Sequence, residues 1–591
     1  MNAPIAQESL PSWDLSDLYP GIDSPQLARD LERATADAKE FAASYEGRMA
    51  ALIGAEMASS LARFEALQER LGRITSYASL VYSGDQSDPK IGQFFQNVQE
   101  QVTTITTSLL FFSLEINRIG EEEMERKLAD PDLARYRPWI RDCRAYRPHQ
   151  LSDELERLLH EKYVAGRAAW TRLFDETMAR LRFPLDGKDL TSAEILHLLS
   201  EKDGERRRRA AQCFGKVMGD NIGVFALVTN TLAKDKEIED RWRKFPSPPS
   251  SRNLANQVED QVVEALVTAV KASYPALAHR YYGLKAKWFG VERLDYWDRN
   301  APLPEADDRV IPWPEATSTV LDAYGAFSPD LAAIGRKFFD NAWIDAPVRP
   351  GKSPGAFAHP TVPSAHPYLL LNYQGKVRDV MTLAHELGHG VHQVLSAGQG
   401  YLMADTPLTL AETASVFGEM LTFRALLAQQ KDAAKRKVML ASKVEDMLNT
   451  VVRQIAFYDF ELRLHSERRQ GELTAERIGE IWMDVQTECL GPVFRFHDEY
   501  RNYWAYIPHF VHSPFYVYAY AFGDCLVNSL YAVYQDGAPG FQQRYLDMLK
   551  AGGTKRHREL LAPFGLDAGD PAFWQKGLDV IAGFIDELEK A

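Results

Sequence analysis

Along most of this chain apolar residues recur at three- and four-residue steps, and little interrupts the pattern. Residues 24 to 80, 90 to 130 and 150 to 240 are rich in Ala, Leu, Glu, Arg and Lys. That periodicity predicts long amphipathic helices, with turns at Asp130-Pro131, Arg147-Pro148 and Phe183-Pro184. The segment Phe245 to Ser251 (FPSPPSS) cannot continue a helix and is expected as a surface loop. Helices resume from 254 to 288. Between 289 and 376 Pro and Gly become frequent and the periodicity fades. There Tyr368 to Tyr373 (YLLLNY) predicts a strand, ended by the Gln374-Gly375 turn. Helices return at about 377 and continue, with breaks, to the last residues. No internal repeat of 20 to 50 residues is present. The expected class is mainly α, with one small β-sheet in the second half.

Composition narrows the function classes. The net charge of -14 argues against a nucleic-acid surface, which needs concentrated Lys and Arg. The dense basic run Arg206 to Arg209 has Glu201, Asp203 and Glu205 beside it and is expected as a solvated helix face. The four cysteines, Cys143, Cys213, Cys489 and Cys525, form no CxxC pair. A disulfide framework or a cysteine metal site is therefore not expected, and a reducing compartment fits. Met1 to Pro20 carries Glu8, Asp14 and Asp17 in place of a basic n-region and an apolar core. No stretch of 18 apolar residues occurs. The expectation is a cytoplasmic protein with no membrane and no nucleic-acid partner; no oligomeric state is read from the sequence.

Thr382 to Gly390 (TLAHELGHG) contains HExxH. On a helix, His385 and His389 lie one turn apart on one face, where two imidazoles can ligate one Zn2+. Glu386 points about 100° round the helix and can face a water without occupying a ligand position. Val380, Met381, Leu383, Ala384 and Leu387 supply the apolar faces, and Asp379 is the expected N-terminal cap. The motif fixes only three positions, so chance or surface decoration stands against it.

Three features add weight. Asp405-Thr406-Pro407 reads as a cap followed by Pro at a first helical turn. The helix after it would carry Glu412, Val416, Glu419 and Phe423 on one face, at i, i+4, i+7 and i+11. Glu412 can complete a two-His, one-Glu site, and Glu419 can hold a histidine's free N–H. The competing reading is an acidic surface stripe. A third histidine of metzincin type would sit at 395, which is Leu395. His392 is on the ligand face but crowded for a third ligand. It reads as an outer-sphere or substrate contact, or as a packed histidine. Finally, His509, His512, Tyr516, Tyr518 and Tyr520 fall within one short run. If that run is helical after Pro508, His509, His512, Tyr516 and Tyr520 share about 80° of arc while Tyr518 points away; Pro514 weakens that helix. Such groups suit an oxyanion; an aromatic core stripe is the alternative.

At these residues the chain resembles the oligoendopeptidase F family, within the thimet-oligopeptidase-like gluzincins. The likeness runs through Trp13 to Tyr19, Arg349 to Phe357, Leu371-Asn372-Tyr373, His385 to His392, Ala411 to Ser415 with Glu419, and Pro508 to Tyr520. It covers essentially the whole chain. The resemblance implies a large helical two-lobed body with a deep cleft and a small β-sheet beside the HExxH helix. It implies an N-terminal helical domain over 1–190 and a catalytic domain over 191–591. It implies one Zn2+ held by His385, His389 and Glu412, with Glu386 as base. His509, Tyr516 and Tyr520 resemble transition-state contacts, and His512 and Tyr518 substrate contacts. The strand holding Leu371 resembles the edge strand on which a peptide lies extended. The loop from Gly351 to Gly355 resembles a mobile glycine-rich loop, although Pro354 departs from that pattern. The implied activity is endopeptidase cleavage of short unfolded oligopeptides. A zinc carboxypeptidase-like enzyme and a scaffold with structural zinc are the alternatives; a structural site would want a fourth ligand such as Cys, and none lies between 214 and 488.

Overall fold

The computed structural model describes residues 10–163, 165–303 and 310–590. The chain is predominantly helical, as its periodicity predicts. Seven short strands occur among the described residues: β1 (Phe183–Leu185), β2 (Lys188–Leu190), β3 (Leu294–Asp295), β4 (Ile344–Asp345), β5 (Phe357–His359), β6 (Tyr368–Leu370) and β7 (Phe494–Arg495). No helix of the described residues is long and apolar enough to cross a membrane.

The chain forms two compact units. The first comprises Met1–Arg147, Asp308–Gln429 and Val533–Leu566, the second Pro148–Asp307, Gln430–Ala532 and Asp567–Ala591. The single boundary expected at residue 190 falls inside the second of these units. Part of the 289 to 376 stretch, residues 304–309, lies outside the described residues, as do residues 1–9 of the N-terminal segment Met1 to Pro20.

In the second unit three local expectations change. Phe183-Pro184 is no turn between helices. It opens a two-stranded antiparallel hairpin, β1 with β2, because Asp186 and Gly187 both take positive φ, 53° and 75°. Asp-Gly between two strands is a strong hairpin signal, outweighed in the sequence reading by the helical composition around it. The proline segment is not a loose surface loop: Pro248, Pro249 and Ser250 are buried, and Ser250 opens a short helix to Ala255. The ring of Phe245 stacks on His149 at 3.9 Å. The basic run divides too. Arg206, Arg208 and Arg209 pair with Glu201, Glu205 and Asp186, but Arg207 turns inward to Asp298 at 2.8 Å.

In the first unit the sheet and the HExxH segment come together. The sheet order is β4-β6-β5, with β4 parallel and β5 antiparallel to β6. The strand expected at the edge is therefore the central one. Its far side is used as well: the amides of Leu369, Leu371 and Tyr373 donate to the carbonyls of Trp343, Asp345 and Ala346. Leu371 is buried, and its carbonyl accepts from Lys352 Nζ at 2.6 Å. Backbone pairing partners come from distant sequence, so the strand is legible in the YLLLNY pattern while the edge position implied by the resemblance does not hold for it. The edge strands are β4 and β5.

The loop before β5 is tethered rather than loose. Lys352 Nζ is buried and also donates to the carbonyls of Asp345 and Pro347. The amide of Ser353 donates to Ser83, and the carbonyl of Gly351 accepts from Gln86 at 2.6 Å. Gly355 takes φ +83° and gives its carbonyl to Asn372. Its left-handed conformation explains the glycine.

Candidate metal centre

The HExxH segment lies on the helix Val377–Ser396. Asp379 is at its third position rather than at the cap; its carboxylate reaches back to the amides of Gln374 and Lys376. The next helix is Leu408–Gln429. Pro407 precedes it and gives its carbonyl to the amides of Leu410 and Ala411. The face carrying Glu412, Val416, Glu419 and Phe423 looks inward: Val416 and Phe423 are buried and the two glutamates are half-buried. An acidic surface stripe is thereby excluded. Phe417, on the other side of this helix, packs on Phe327 and Tyr545 at ring distances of 4.9 and 4.6 Å.

The two helices approach closely because residue 388 has no side chain. A Cβ there would stand 2.5 Å from the carbonyl oxygen of Ala414 and 2.6 Å from Cα of Ser415. Both neighbours are backbone, so they cannot swing away. Gly388→Ala is expected to push the glutamate helix outward and to destabilise the protein by about 1–3 kcal/mol, the usual range for overpacking. The gain of roughly 1 kcal/mol in helix propensity opposes this. Thermal melts and metal titration of the variant check it; unchanged values for both would show that the close approach is not needed.

At the crossing, one oxygen of Glu412 lies 3.4 Å from Nε2 of His385 and 3.4 Å from Nε2 of His389. The three donor atoms lie within 4.8 Å of one another, and the imidazole rings stand 5.0 Å apart at 80°. Two nitrogens and one carboxylate oxygen form a donor set that suits a divalent transition ion. Its supports are also in place. Glu419 meets Nδ1 of His385 at 3.3 Å, which leaves Nε2 directed at the site. Ser415 Oγ donates to the converging oxygen of Glu412 at 2.6 Å. The hydroxyl of Tyr324 donates to the carbonyl of Ala384 at 2.6 Å, one residue before His385. Ser415 and Tyr324 escaped the sequence reading. The serine sits three residues after Glu412, so helical spacing could have found it; nothing local marks Tyr324.

The charges are strongly coupled. Burial raises the Glu412 carboxyl, but the His389 hydrogen bond, the two imidazolium charges and Ser415 outweigh it and bring the pKa to about 2. Burial lowers His385, but the Glu419 hydrogen bond and the neighbouring carboxylates raise it to about 9. Glu386 is buried, and burial raises its carboxyl above the ordinary value. Both histidines oppose that rise, as does the amide of Ala358 on β5, which donates to this carboxylate. His392 is no ligand. It is buried, and burial and His389 depress its pKa to about 4, against a hydrogen bond to the carbonyl of Ala411. It thus braces the residue before Glu412. A groove of about 670 Å³ opens at His389 and His392 and runs past Thr361, Tyr401 and Asp405.

A family model described as Peptidase family M3 matches residues 198–580 of this sequence, which include the whole centre. The chain belongs to peptidase family M3. As an M3 peptidase it is a metalloendopeptidase, the enzyme class expected from its sequence. A second model, Oligopeptidase F, matches residues 115–183. Oligopeptidase PepF of Bacillus subtilis is 26% identical over 98% of this chain and 87% of its own length. Group B oligopeptidase PepB of Streptococcus agalactiae is 27% identical over 88% of each chain. The M3 peptidase fold is shared with oligoendopeptidase-F from Enterococcus faecium, at TM-score 0.73 and 21% identity over 96% of this chain and 98% of that one. It is shared also with PZ peptidase A, at TM-score 0.70 and 16% identity over 99% of both chains.

The aromatic run of this M3 peptidase belongs to the second unit and is not one helix. A single turn, His509–His512, is followed by a break, and a new helix starts at Tyr518. Phe515 in the break takes φ +59°, held by a 2.9 Å hydrogen bond from its amide to the buried Glu461. The break still brings His509, Tyr516 and Tyr520 together. Nε2 of His509 is 3.3 Å from the Tyr520 hydroxyl, and the two tyrosine rings are 5.2 Å apart. His512 turns away to Asp175 at 2.8 Å. Tyr518 is fully buried, and its hydroxyl accepts from Asn256 at 2.9 Å. Its place is in the core, so the substrate contact expected of Tyr518 is not available in this structure.

Proposed function

We propose that the chain is a zinc-dependent endopeptidase that cleaves short unfolded oligopeptides at internal bonds. The observation that carries this is the position of Glu386. Its carboxyl sits beside the two-His, one-Glu donor set and is hydrogen-bonded by the amide of Ala358 on β5, an edge strand of the sheet. Three protein ligands are the usual complement of a catalytic zinc site. His385, His389 and Glu412 would hold the ion, which when bound polarises the scissile carbonyl and acidifies the attacking water. Glu386 takes the proton of that water and delivers it to the leaving amine. His509 is kept neutral near pH 7, since burial and the charge of Arg453 lower its pKa. With Tyr516 and Tyr520 it is assigned, on the family resemblance, as a donor to the developing oxyanion.

The same reading moves the peptide from β6 to β5. Leu369 and Leu371 turn their amides to the β4 side, so Tyr368 and Leu370 pair with His359 and Phe357. In an antiparallel ladder the intervening residue then faces outward. That residue is Ala358, whose carbonyl would accept from an extended substrate. The names of the relatives, oligopeptidase and oligoendopeptidase, support a peptide-sized substrate. A folded protein offers no extended segment without local unfolding. Unstructured peptides of about six to twenty residues are therefore expected to be cut at internal bonds, while long chains stay intact, since strand addition rewards only a few residues. Mass spectrometry of a peptide length series beside reduced, unfolded casein decides it. Efficient digestion of casein, or release of single C-terminal residues only, would refute the reading.

A further inference from the structure

The second unit contains a pocket of about 140 Å³ with an unusual lining: Arg299, Arg453, Trp482, Tyr500, Tyr506 and no acidic residue. The sequence builds its polar and aromatic lining from four places. Arg299 follows the turn Tyr296–Asp298, Arg453 opens the helix Val452–Arg468, and Trp482 lies on Ala475–Leu490. Tyr500, Tyr503 and Tyr506 lie on the 3₁₀ helix Asp498–Tyr506. With three residues per turn, their spacing of three stacks them along one face.

Neither arginine has a carboxylate partner among the described residues. Arg299 Nε reaches only Asn300, at 3.4 Å. Arg453 Nη2 donates to the Tyr506 hydroxyl at 3.2 Å, and its buried Nε has no partner. The nearby acids are engaged elsewhere. Asp298 pairs with Arg207, Glu445 with Lys285 at 2.6 Å, and Glu499 accepts from Tyr296. Trp482 is 2% exposed, and its indole N–H also lacks an acceptor. Tyr506 accepts from Arg453, which leaves its own proton to donate. Burial and the positive charge of Arg299 both lower the Arg453 pKa, so the two cations sense one another.

The unpartnered buried polar atoms of this lining, Arg453 Nε and the Trp482 indole N–H, are both donors, and the two arginines carry charge. Two half-buried guanidinium groups with no carboxylate partner among the described residues repel one another, and an unpaired buried donor adds to the cost. One guest relieves all of these at once. We propose that this pocket is a binding site for a small oxyanion, gripped by Arg299 and Arg453 with Trp482 and Tyr506 as further donors. Guanidinium forks match the paired oxygens of such ions, and the volume equals about four or five waters at roughly 30 Å³ each, enough for a sulfate, a phosphate or a carboxylate head. The ion would also reach the aromatic cluster. Arg453 acts electrostatically on His509, and neutralising it lets the His509 pKa rise.

The test uses the full-length, metal-loaded protein and inorganic sulfate, with ionic strength held by chloride. Sulfate should change the fluorescence of the pocket tryptophans Trp297 and Trp482 saturably and raise Tm, because a ligand that binds only the folded state stabilises it. In Arg299→Met and Arg453→Met the midpoint should move at least tenfold higher. Should either fail to fold, Trp482→Phe removes one donor and keeps the ring, and its midpoint should rise several-fold by the Tm readout. An all-D tripeptide acid, which resists cleavage, separates the sources. Displacement of sulfate by the acid but not by its amide identifies a peptide carboxylate as the ligand; no displacement by either identifies a free inorganic ion. A non-saturating response, or one with the same midpoint in wild type and variants, overturns the site.

Discussion

Glu386→Gln is expected to retain a full complement of metal and to lose nearly all peptide hydrolysis. The ligating atoms belong to His385, His389 and Glu412, so the substitution leaves the donor set alone. The amide of glutamine keeps an oxygen able to accept from the Ala358 N–H, and local geometry should persist. What disappears is a group that can accept and return a proton. General acid–base catalysis contributes at least about 10²-fold, so a fall of that size or more is expected in kcat, with KM little changed. Metal analysis of the purified variant beside steady-state kinetics on one peptide separates the two effects. Retention of more than about a tenth of the wild-type kcat would remove Glu386 from the role of base, given the size of that contribution.

Glu412→Ala and Glu419→Ala should both weaken metal binding, but by very different amounts. One oxygen of Glu412 is equidistant from both ligand nitrogens, and its removal deletes a ligand. Glu419 meets the far nitrogen of His385, Nδ1, and not its ligating Nε2; its loss frees the ring to rotate, and such supports are worth about 10- to 100-fold in affinity. Equilibrium titration against a coloured chelator should place Glu412→Ala well beyond that range. A larger loss for Glu419→Ala would reverse the assignment of ligand and support. Ser415→Ala offers an intermediate case. It leaves Glu412 present but no longer held at its converging oxygen.

Most of the metal centre was legible in the sequence because it is written in helical spacing. Histidines four apart share a face, the residue after the first is rotated off it, and Glu412 and Glu419 lie two turns apart on the following helix. None of these relations requires knowledge of any distant residue. The helical class followed from the same periodicity. Where the reading failed, the deciding partner lay far along the chain or a local signal was outweighed. The Asp186-Gly187 hairpin was a local signal, discounted because helical sequence surrounds it. The run at 509 to 520 was interrupted by the turn at Phe515, which the buried carboxylate of Glu461, on another helix, holds in place.

Side-chain chemistry and its spacing, then, came from the sequence alone: which residues can bind a metal and which can move a proton. The tertiary structure decided which strands lie at the sheet's edges, because β6 acquires neighbours on both sides from segments before it. It decided that Tyr518 is core while Tyr516 and Tyr520 join His509, and that Lys352 ties down a glycine-bearing loop. It also decided that Arg299 and Arg453, more than a hundred and fifty residues apart, share one pocket. Helical faces are set by the chain's own geometry over a few residues. Strand edges, burial and the pairing of charges depend on which distant segments are packed alongside, and no local pattern carries that information.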